Sequence, residues 1–490
     1  MEDIDERVDE LADDTPGAKF ERAKRRIGLI GGPLLALSFY LAPLGAVSPA
    51  LVALMVLCVS WWLTEALPAA AVALIAAVGA VLMGIATPQV AFGAFGTPLL
   101  FLFVGSFFVA EAMRVHGLGM RIAELVARHA KGRLSFLIAI ALASFFLSMW
   151  MSNAASTALL LPIALSMAPS DPKDRFATAL VLVVAWGASV GGLGTPVGTP
   201  PNGFGMTELK QRGLDLNFIE WMAIGVPMGI IMMFGLVALL AVIYGVRRNQ
   251  PLPPREIAAA RPFSRGEWAV VFAFGVAIVG WLLPTIVSLL APGTVTAAWF
   301  EKHLTEEVVA LIAGCTLFVL PGQAAGKPRR PALTWNEATK IEWGVILLFG
   351  GGILLGTLGK STGLAEQWGR ELVDATGASS TWTITALVTA TAIILSEATS
   401  NTATASMMAP LAGALATAAG AAPIPAILGA TMGASFGFMM PISTAPNALA
   451  YATGRVSVGQ MVKSGIIFDV IGFFLILGAL RIVCPLFGWA

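Results

Sequence analysis

The sequence predicts an all-α polytopic membrane protein with about eleven transmembrane helices and two re-entrant hairpins, and three observations indicate this fold class. Of the 490 residues, 57% are apolar and only 12% are charged, whereas ordinary globular domains are about 45–50% apolar and about 25% charged. Many apolar runs reach roughly 18 residues, the length that a helix needs to cross a bilayer. The second half of the chain also repeats motifs of the first half in the same order.

The successive elements follow from the apolar runs and the polar segments between them. Residues 1–26 are acidic and then basic, without a cleavable signal pattern, so we expect a cytoplasmic tail. The first repeat with its preceding helix covers 27–245, a cytoplasmic linker covers 246–266, and the second repeat covers 267–490. We expect spans near 27–46, 49–66, 69–86, 97–129, 218–245, 267–291, 305–320, 340–358 and 464–485.

Two further apolar stretches carry a small polar cluster at their centre. Residues 147–162 read LSMWMSNAASTALLLP, and residues 395–410 read LSEATSNTATASMMAP. Unpartnered polar groups are costly in hydrocarbon, so the polar centres predict two re-entrant hairpins, 134–168 and 380–420. Each hairpin precedes a Gly- and Pro-rich broken helix, 176–212 and 423–454. One Ser-Asn pair is most often a helix–helix hydrogen bond, but two such tips with two broken helices indicate one site built from two halves.

The repeat extends beyond the hairpins. Phe103, Gly105, Gly117 and Leu118 match Phe349, Gly351, Gly363 and Leu364 at one constant offset, and Gly187–Gly191 matches Gly433–Gly437 at the same offset. With one residue dropped, Pro196, Thr199, Pro201 and Asn202 match Pro441, Thr444, Pro446 and Asn447. This ordered set of blocks predicts an inverted-topology repeat, in which the hairpins enter from opposite sides of the membrane.

The placement of lysine and arginine gives the orientation. With the N-terminus inside, six of the 30 basic residues fall on the outside: Lys210, Arg212, Lys302, Lys360, Arg370 and Arg481. An excess of basic residues marks cytoplasmic segments, so we expect a multi-pass protein of the cell (inner) membrane with a cytoplasmic N-terminus. The same arrangement places hairpin 134–168 on the inner side and hairpin 380–420 on the outer side.

The chemistry of the four polar segments suits ions of both signs. Helix N-termini offer N–H groups to an anion, and free carbonyls favour a cation. Asn153 and Asn401 carry donors and an acceptor in one amide, so they can serve both. Ser, Thr and Asn oxygens together with carbonyls form a set suited to a hard cation such as Na⁺. The same tips offer N–H and O–H donors to a carboxylate or a sulfate.

Other candidate sites are weaker. The three cysteines form neither a disulfide framework nor a metal site. Gly187–Gly191 and Gly433–Gly437 match the G-x-S-x-G pattern of hydrolases, but they lack its strand–turn–helix context and a histidine partner, so we expect no enzyme. Glu397 beside the second tip is either a proton site or a structural carboxylate bonded to backbone N–H groups. Glu65, Glu111 and Asp469 are acids in or near spans without an assigned role.

Ser152-Asn153, Ser400-Asn401-Thr402, 198–202 (GTPPN) and 444–447 (TAPN) resemble the motifs of the divalent-anion/sodium symporter family. The resemblance covers about residues 27–485. It implies a homodimer whose protomers each have a scaffold domain and a moving transport domain, an elevator-type arrangement. It also implies uptake of C4-dicarboxylates (succinate, malate or fumarate), the C5-dicarboxylate 2-oxoglutarate, citrate or sulfate, with Na⁺ as the coupling ion.

The resemblance also implies site residues. One Na⁺ would be held by Ser148, Ser152, Asn153 and Gly198, and a second by Ser396, Thr399, Asn401 and Ser443. The anion would lie among Asn153, Ala154, Thr199, Pro200, Asn401, Thr402, Thr444 and Ala445. The chain departs from the family motif at Ala154, where the family usually has Thr. This removes a hydroxyl from the substrate side of the first tip.

The sequence leaves three alternatives to Na⁺-coupled symport. A Na⁺-independent dicarboxylate exchanger would need a fixed basic residue in place of Na⁺, and none occurs in 134–172, 176–209 or 371–454. A proton-coupled carrier would need Glu397 to titrate. An anion channel would need a continuous pore, whereas two facing hairpins in inverted repeats favour alternating access. We expect a small dianion, Na⁺ and the lipid bilayer as partners, and no nucleic acid.

Overall fold

The computed structural model describes residues 16–42, 48–128, 130–169, 171, 174–214, 216–252, 262–322, 330–364, 367, 370–371, 377 and 380–489. In this part every element is helical, apart from one isolated bridge between Pro321 and Pro331. Seven of the helices are long and apolar enough to cross a membrane. The predicted all-α membrane fold is therefore confirmed.

The first half consists of short and long apolar helices separated by turns with Pro, Ser or Thr at the helix starts. In chain order they are α1 (Pro16–Leu41), α2 (Pro49–Thr64), α3 (Ala69–Leu82), α4 (Pro88–Gly93), α5 (Pro98–His116), α6 (Leu118–Arg128), α7 (Arg133–Ser148), α8 (Asn153–Ser166), α9 (Arg175–Gly192), α10 (Pro200–Gln211) and α11 (Phe218–Tyr244). Helix α1 begins at Pro16, about three helical turns before the expected span start at residue 27, so part of the expected tail is helical.

The second half repeats this order. It contains α12 (Arg265–Leu290), α13 (Val295–His303), α14 (Glu306–Thr316), α15 (Trp335–Ala338), α16 (Trp343–Ser361), α17 (Thr381–Ala398), α18 (Asn401–Ala418), α19 (Pro423–Gly433), α20 (Ala445–Ala452) and α21 (Val458–Leu486). The expected span at 305–320 is represented by α14, an 11-residue helix. Residues 253–261 of the expected linker 246–266 lie outside the described residues.

The two expected hairpins are helix–turn–helix units. Helices α7 and α8 form the first, and α17 and α18 form the second. In each unit the second helix starts at the tip serine: Ser152 caps α8 by accepting from Ala155 N, and Ser400 caps α18 by accepting from Ala403 N. The tip serines therefore fix where each hairpin turns.

Matched glycines allow helices to touch at equivalent places in the two halves. A Cβ on Gly105 of α5 would lie 2.3 Å from the Ala310 carbonyl carbon of α14, and one on Gly351 of α16 would lie 2.4 Å from Cβ of Ala73 in α3. Membrane helices pack closely where small residues let their backbones approach. The matched pair Gly105 and Gly351 thus supports the same kind of helix crossing in each repeat.

Helix α9 is the centre of the core. All but its first residue are buried, and Trp186 at its middle stacks on Phe468 of α21 with ring centroids 6.0 Å apart. The indole Nε1 of Trp186 donates to Oδ1 of Asn447 at 3.1 Å. A helix of the first repeat is therefore locked to the broken helix of the second, which sets the two half-sites side by side.

Candidate functional site

The two hairpin tips meet at one cavity of about 550 Å³. Residues 152–154 at the start of α8 and residues 400–403 at the start of α18 line it together. A cavity of this size suits a small organic ligand, for which pockets of roughly 300–1,000 Å³ are usual. The two repeats observed in the sequence thus supply two facing walls of one site.

The loops that break the two long helices supply the other walls. Residues 197–200, between α9 and α10, and residues 442–446, between α19 and α20, line the same cavity. All eight residues that the resemblance assigns to the anion lie on its lining: Asn153, Ala154, Thr199, Pro200, Asn401, Thr402, Thr444 and Ala445. The fold therefore brings together residues separated by up to 292 positions in the chain.

Both tips have the same internal hydrogen bond. The Ser148 hydroxyl donates to Oδ1 of Asn153 at 2.7 Å, and the Ser396 hydroxyl donates to Oδ1 of Asn401, also at 2.7 Å. Ser148 and Ser396 are fully buried beneath the cavity, whereas the asparagines line it. Each buried serine therefore orients the amide above it.

The first expected cation set is compact. A Cβ built on Gly192 would lie 2.7 Å from Asn153 Oδ1 and 3.1 Å from the Gly198 carbonyl oxygen, and one on Gly198 would lie 2.5 Å from the Gly192 carbonyl oxygen. These two glycines let the loop backbone approach the tip amide. Ser148, Asn153 and Gly198 thus present hydroxyl, amide and carbonyl oxygens within a few ångströms.

The second expected cation set has a similar arrangement with one exception. Asn401 Nδ2 donates to the Ser435 carbonyl at 3.2 Å, and Ser443 Oγ donates to the Gly437 carbonyl at 2.8 Å. A Cβ on Gly437 would lie 3.1 Å from Asn401 Oδ1. The hydroxyl of Thr399, in contrast, bonds within its own hairpin to Thr404 Oγ1 at 2.9 Å and does not line the cavity.

The Pro-Asn asparagines brace the broken helices, a role that the sequence reasoning missed. Asn202 Nδ2 donates to the carbonyls of Gly192 (2.8 Å) and Thr195 (2.7 Å). In the second repeat, Asn447 Nδ2 donates to the carbonyls of Gly437 (2.7 Å) and Met440 (2.9 Å). The partners occupy matching positions in the two repeats, so the shared Pro-Asn motif was the available signal.

Four helix N-termini point into the cavity. Their cap residues, Ser152, Thr199, Ser400 and Thr444, all line it, at the starts of helices of 14, 12, 18 and 8 residues. Each helix start carries unpaired N–H groups and about half a positive elementary charge. Four such ends around one cavity make an anion-binding environment without a fixed cation on the tips or loops.

Charged residues from other helices border the cavity, which the sequence reasoning did not anticipate. Arg25 of α1, Glu65 after α2 and Glu342 before α16 line it. Beside Arg25, Lys24 Nζ donates to the carbonyl of Ala398, next to the second tip, at 3.5 Å and lies 3.9 Å from Glu65. The amino-terminal helix therefore brings basic groups to the mouth of a cavity whose four walls contain none.

The serines of the two G-x-S-x-G segments have no catalytic arrangement among the described residues. Ser189 lies inside α9, where its hydroxyl is 3.4 Å from the Ala185 carbonyl. His116 bonds to the Ala332 carbonyl and His303 to the Trp299 carbonyl, and His129 lies outside the described residues. Ser435 lies in the turn after α19, and its buried hydroxyl has no hydrogen-bond partner among the described residues.

Comparison with known proteins identifies the family. A family model described as "Citrate transporter" matches residues 59–433 and 295–489. The sodium-dependent dicarboxylate transporter SdcS of Staphylococcus aureus (strain USA300) is 30% identical over 95% of this chain and 92% of its own. SdcS of Staphylococcus saprophyticus is 29% identical over 94% of this chain and 91% of its own. The chain belongs to the divalent-anion/sodium symporter family.

Solved structures outside the near relatives share the fold. The Alcanivorax borkumensis YdaH transporter superposes with a TM-score of 0.55 over 82% of this chain and 88% of its own, at 14% identity. MtrF of Neisseria gonorrhoeae gives the same TM-score over 82% of this chain and 84% of its own, at 13% identity. As a member of the divalent-anion/sodium symporter family, the protein is a membrane transporter and not an enzyme.

Proposed function

We propose that the protein is a secondary active transporter that carries a C4-dicarboxylate together with Na⁺ across the cell membrane. The observation that carries this proposal is the convergence of two Ser-Asn tips and four helix N-termini on one cavity. Helix N-termini attract an anion, and the oxygen clusters just beneath the tips attract cations. The relatives named as sodium-dependent dicarboxylate transporters support the same pairing of ions.

The expected anion is a small dianion such as succinate, malate, fumarate or 2-oxoglutarate. The cavity has two related walls, each made of one tip and one broken-helix loop. A ligand with a charged group at each end fits two such walls better than a monocarboxylate does. Citrate and sulfate are the other anions that the family model and the donor set allow.

Two Na⁺ ions have separate places in this proposal. The first binds among Ser148, Ser152, Asn153 and Gly198, and the second among Ser396, Thr399, Asn401 and Ser443. Because each tip asparagine also faces the cavity, a bound cation orders the amide that meets the anion. Thr399 contributes through its backbone carbonyl, since its hydroxyl is already bonded within the hairpin.

Transport follows an elevator-type alternating-access cycle. The two hairpins and the two broken helices form the moving unit around the site, and the remaining helices form a scaffold at the interface of a homodimer. The cavity is bordered by Arg25 of α1, Glu65 after α2 and Glu342 before α16, which the basic-residue distribution assigns to the cytoplasmic side. The described conformation is then open toward the cytoplasm.

A Na⁺-independent dicarboxylate exchanger is the second candidate, favoured by Arg25 on the cavity lining. A guanidinium at this position supplies the fixed positive charge that exchange without Na⁺ requires. The two functions differ in what Arg25→Gln does. Exchange would be abolished, whereas Na⁺-coupled uptake would lose only part of its apparent affinity, because the four helix N-termini remain.

The test is uptake of labelled succinate into proteoliposomes with an imposed Na⁺ gradient, in competition with unlabelled anions. We expect malate, fumarate and 2-oxoglutarate to compete strongly and monocarboxylates such as butyrate to compete weakly. Equal inhibition by butyrate and succinate would contradict a site with two anion-binding halves. Strong competition by citrate or sulfate alone would reassign the substrate within the same fold.

A further inference from the structure

Two buried carboxyl groups face each other behind the second tip. Glu397 lies near the end of α17 and Asp469 lies in α21, and they are 7% and 5% exposed. Each carboxyl group is a direct neighbour of the other. Gly465, one turn before Asp469, packs against the backbone of Phe438, which brings α21 to the loop that follows α19.

The hydrogen bonds of this pair are incomplete. Oε1 of Glu397 accepts from the backbone N–H groups of Phe438 (2.5 Å) and Met439 (2.8 Å), which is the structural role considered for it from the sequence. Oε2 of Glu397 and both oxygens of Asp469 have no donor among the described residues. Carboxylates are acceptors only, so two ionised ones cannot satisfy each other.

Among the described residues the pair has no counterion, unlike the other buried acids there. Glu111 pairs with Arg114 at 2.5 Å, Glu208 with Arg212 at 2.5 Å, and Glu267 with Arg121 at 2.7 Å. The ion pairs of the described part include neither Glu397 nor Asp469. Buried charges are retained when they are paired or bind an ion. A positive partner is therefore expected for this pair, and the described residues supply none.

We propose that Glu397 and Asp469 bind one further Na⁺, separate from the two ions at the tips. A single cation between the carboxylates would contact oxygens of both groups, whereas one shared proton leaves one of the three unpartnered oxygens without a partner. Carboxylate oxygens suit a hard cation. The site borders the second tip, since Glu397 follows Ser396, and its backbone donors belong to the loop that contains Ser443.

This inference rests on the proposed Na⁺-coupled function and assigns it one more ion. The number of Na⁺ ions carried per succinate is measured in proteoliposomes, from the membrane potential that balances a fixed Na⁺ gradient. Asp469→Asn should lower that number by one, and Glu397→Gln should do the same. The matched control is Glu208→Gln, a buried acid balanced inside the protein by Arg212, which should leave the number unchanged.

A second measurement keeps the inference testable if a variant does not transport. Without dicarboxylate, the thermal stability of purified protein is followed against Na⁺ concentration, since an ion that binds only the folded state raises the melting temperature. The melting temperature of Asp469→Asn should rise less steeply with Na⁺ concentration than that of wild type or of Glu208→Gln. An unchanged slope together with an unchanged ion count would overturn the inference.

The outcomes separate this inference from the proposed function. If wild type takes up no succinate in response to Na⁺, the proposed function fails. If wild type does so and Asp469→Asn moves the same number of Na⁺ ions, only the extra site fails. A loss of proton movement in Asp469→Asn with an unchanged Na⁺ number would show that the pair holds a proton and would also overturn the Na⁺ assignment.

Discussion

At the residue scale, the proposed function gives the tip asparagines contacts with both kinds of ion. Asn153 and Asn401 each accept a hydrogen bond from a buried serine and line the cavity. One amide can present its oxygen toward a cation and its nitrogen toward an anion. The serine hydroxyls hold this orientation of the amide, so in the proposed function the two ions share one group at each half-site.

Asn153→Ala and Asn401→Ala should each abolish uptake while the protein remains folded. Each substitution removes a cation ligand and an anion donor at once, but neither residue is needed to pack a helix. Uptake in proteoliposomes and size-exclusion profiles of the purified variants check both halves of this expectation. Asn336→Ala, at an exposed asparagine of α15, is the control and should transport as wild type does. Uptake near the wild-type rate in either tip variant would contradict the two-tip site.

The asymmetry between the tips at Ala154 and Thr402 gives a second expectation. Ala154→Thr adds a hydroxyl to the first tip, and one neutral hydrogen bond contributes about 0.5–1.5 kcal/mol, so the apparent anion affinity should shift by roughly two- to tenfold. Thr402→Ala removes the matching hydroxyl and should lower the apparent anion affinity by a similar factor. Na⁺ activation should change much less in both variants. The reverse pattern, a large Na⁺ shift with an unmoved anion curve, would reassign position 154 to the cation.

The residues that line the cavity walls could be selected from the sequence because the same tip and loop motifs occur in both repeats. Sequence reasoning did not find Arg25, because that residue lies in the amino-terminal segment, far from either motif in the chain. Nor did it find the bracing role of Asn202 and Asn447. Whether an amide binds a ligand or holds two carbonyls depends on where the loop folds back, which spacing alone does not give.

At the scale of elements, the broken helices need close backbone approach to the tips. Gly192 ends α9 directly against Asn153, and its absent side chain leaves the space through which the loop returns. The same relation holds between Gly437 and Asn401. Site geometry therefore depends on two glycines that touch no ligand in the proposal.

Gly192→Ala should reduce uptake at least tenfold, because the new Cβ would lie 2.7 Å from Asn153 Oδ1 and 2.9 Å from Thr199 Cβ. Overpacking of this kind costs about 1–3 kcal/mol and would displace the tip amide. Gly275→Ala in α12 is the matched control, since nothing lies within 4 Å of its Cβ, and alanine suits a helix interior. Initial uptake rates at saturating succinate distinguish them. Equal rates in the two variants would show that the loop can move away without loss.

The hairpins and broken helices were predictable as elements because polar clusters and Gly-Pro segments interrupt long apolar runs. The boundaries of the elements were less predictable than the elements themselves. Helix α1 begins at Pro16 within the expected tail, because a charged segment with good helix formers continues the helix beyond its apolar part. Helix α14 is shorter than its apolar run, since it ends in a turn at Leu317 that the hydrophobic pattern does not mark.

At the scale of the whole molecule, the proposed function relies on the inverted repeat, because the chain has few fixed charges near its centre with which to bind a dianion. In this proposal four helix N-termini from the two halves supply the positive environment, and two oxygen clusters admit cations that neutralise the anion during transfer. The homodimer and the elevator movement stay predictions of the family resemblance. The cavity between the halves is the part of the account on which all other parts depend.

Na⁺ coupling is measured as the initial rate of succinate uptake into proteoliposomes across a series of external Na⁺ concentrations, with choline as the replacement cation. Two tip sites should give a sigmoidal curve with more than first-power dependence on Na⁺, and further ions would steepen it. Uptake should fall to background when choline replaces all Na⁺. Uptake that is unaffected by this replacement would contradict Na⁺ coupling and favour the exchanger.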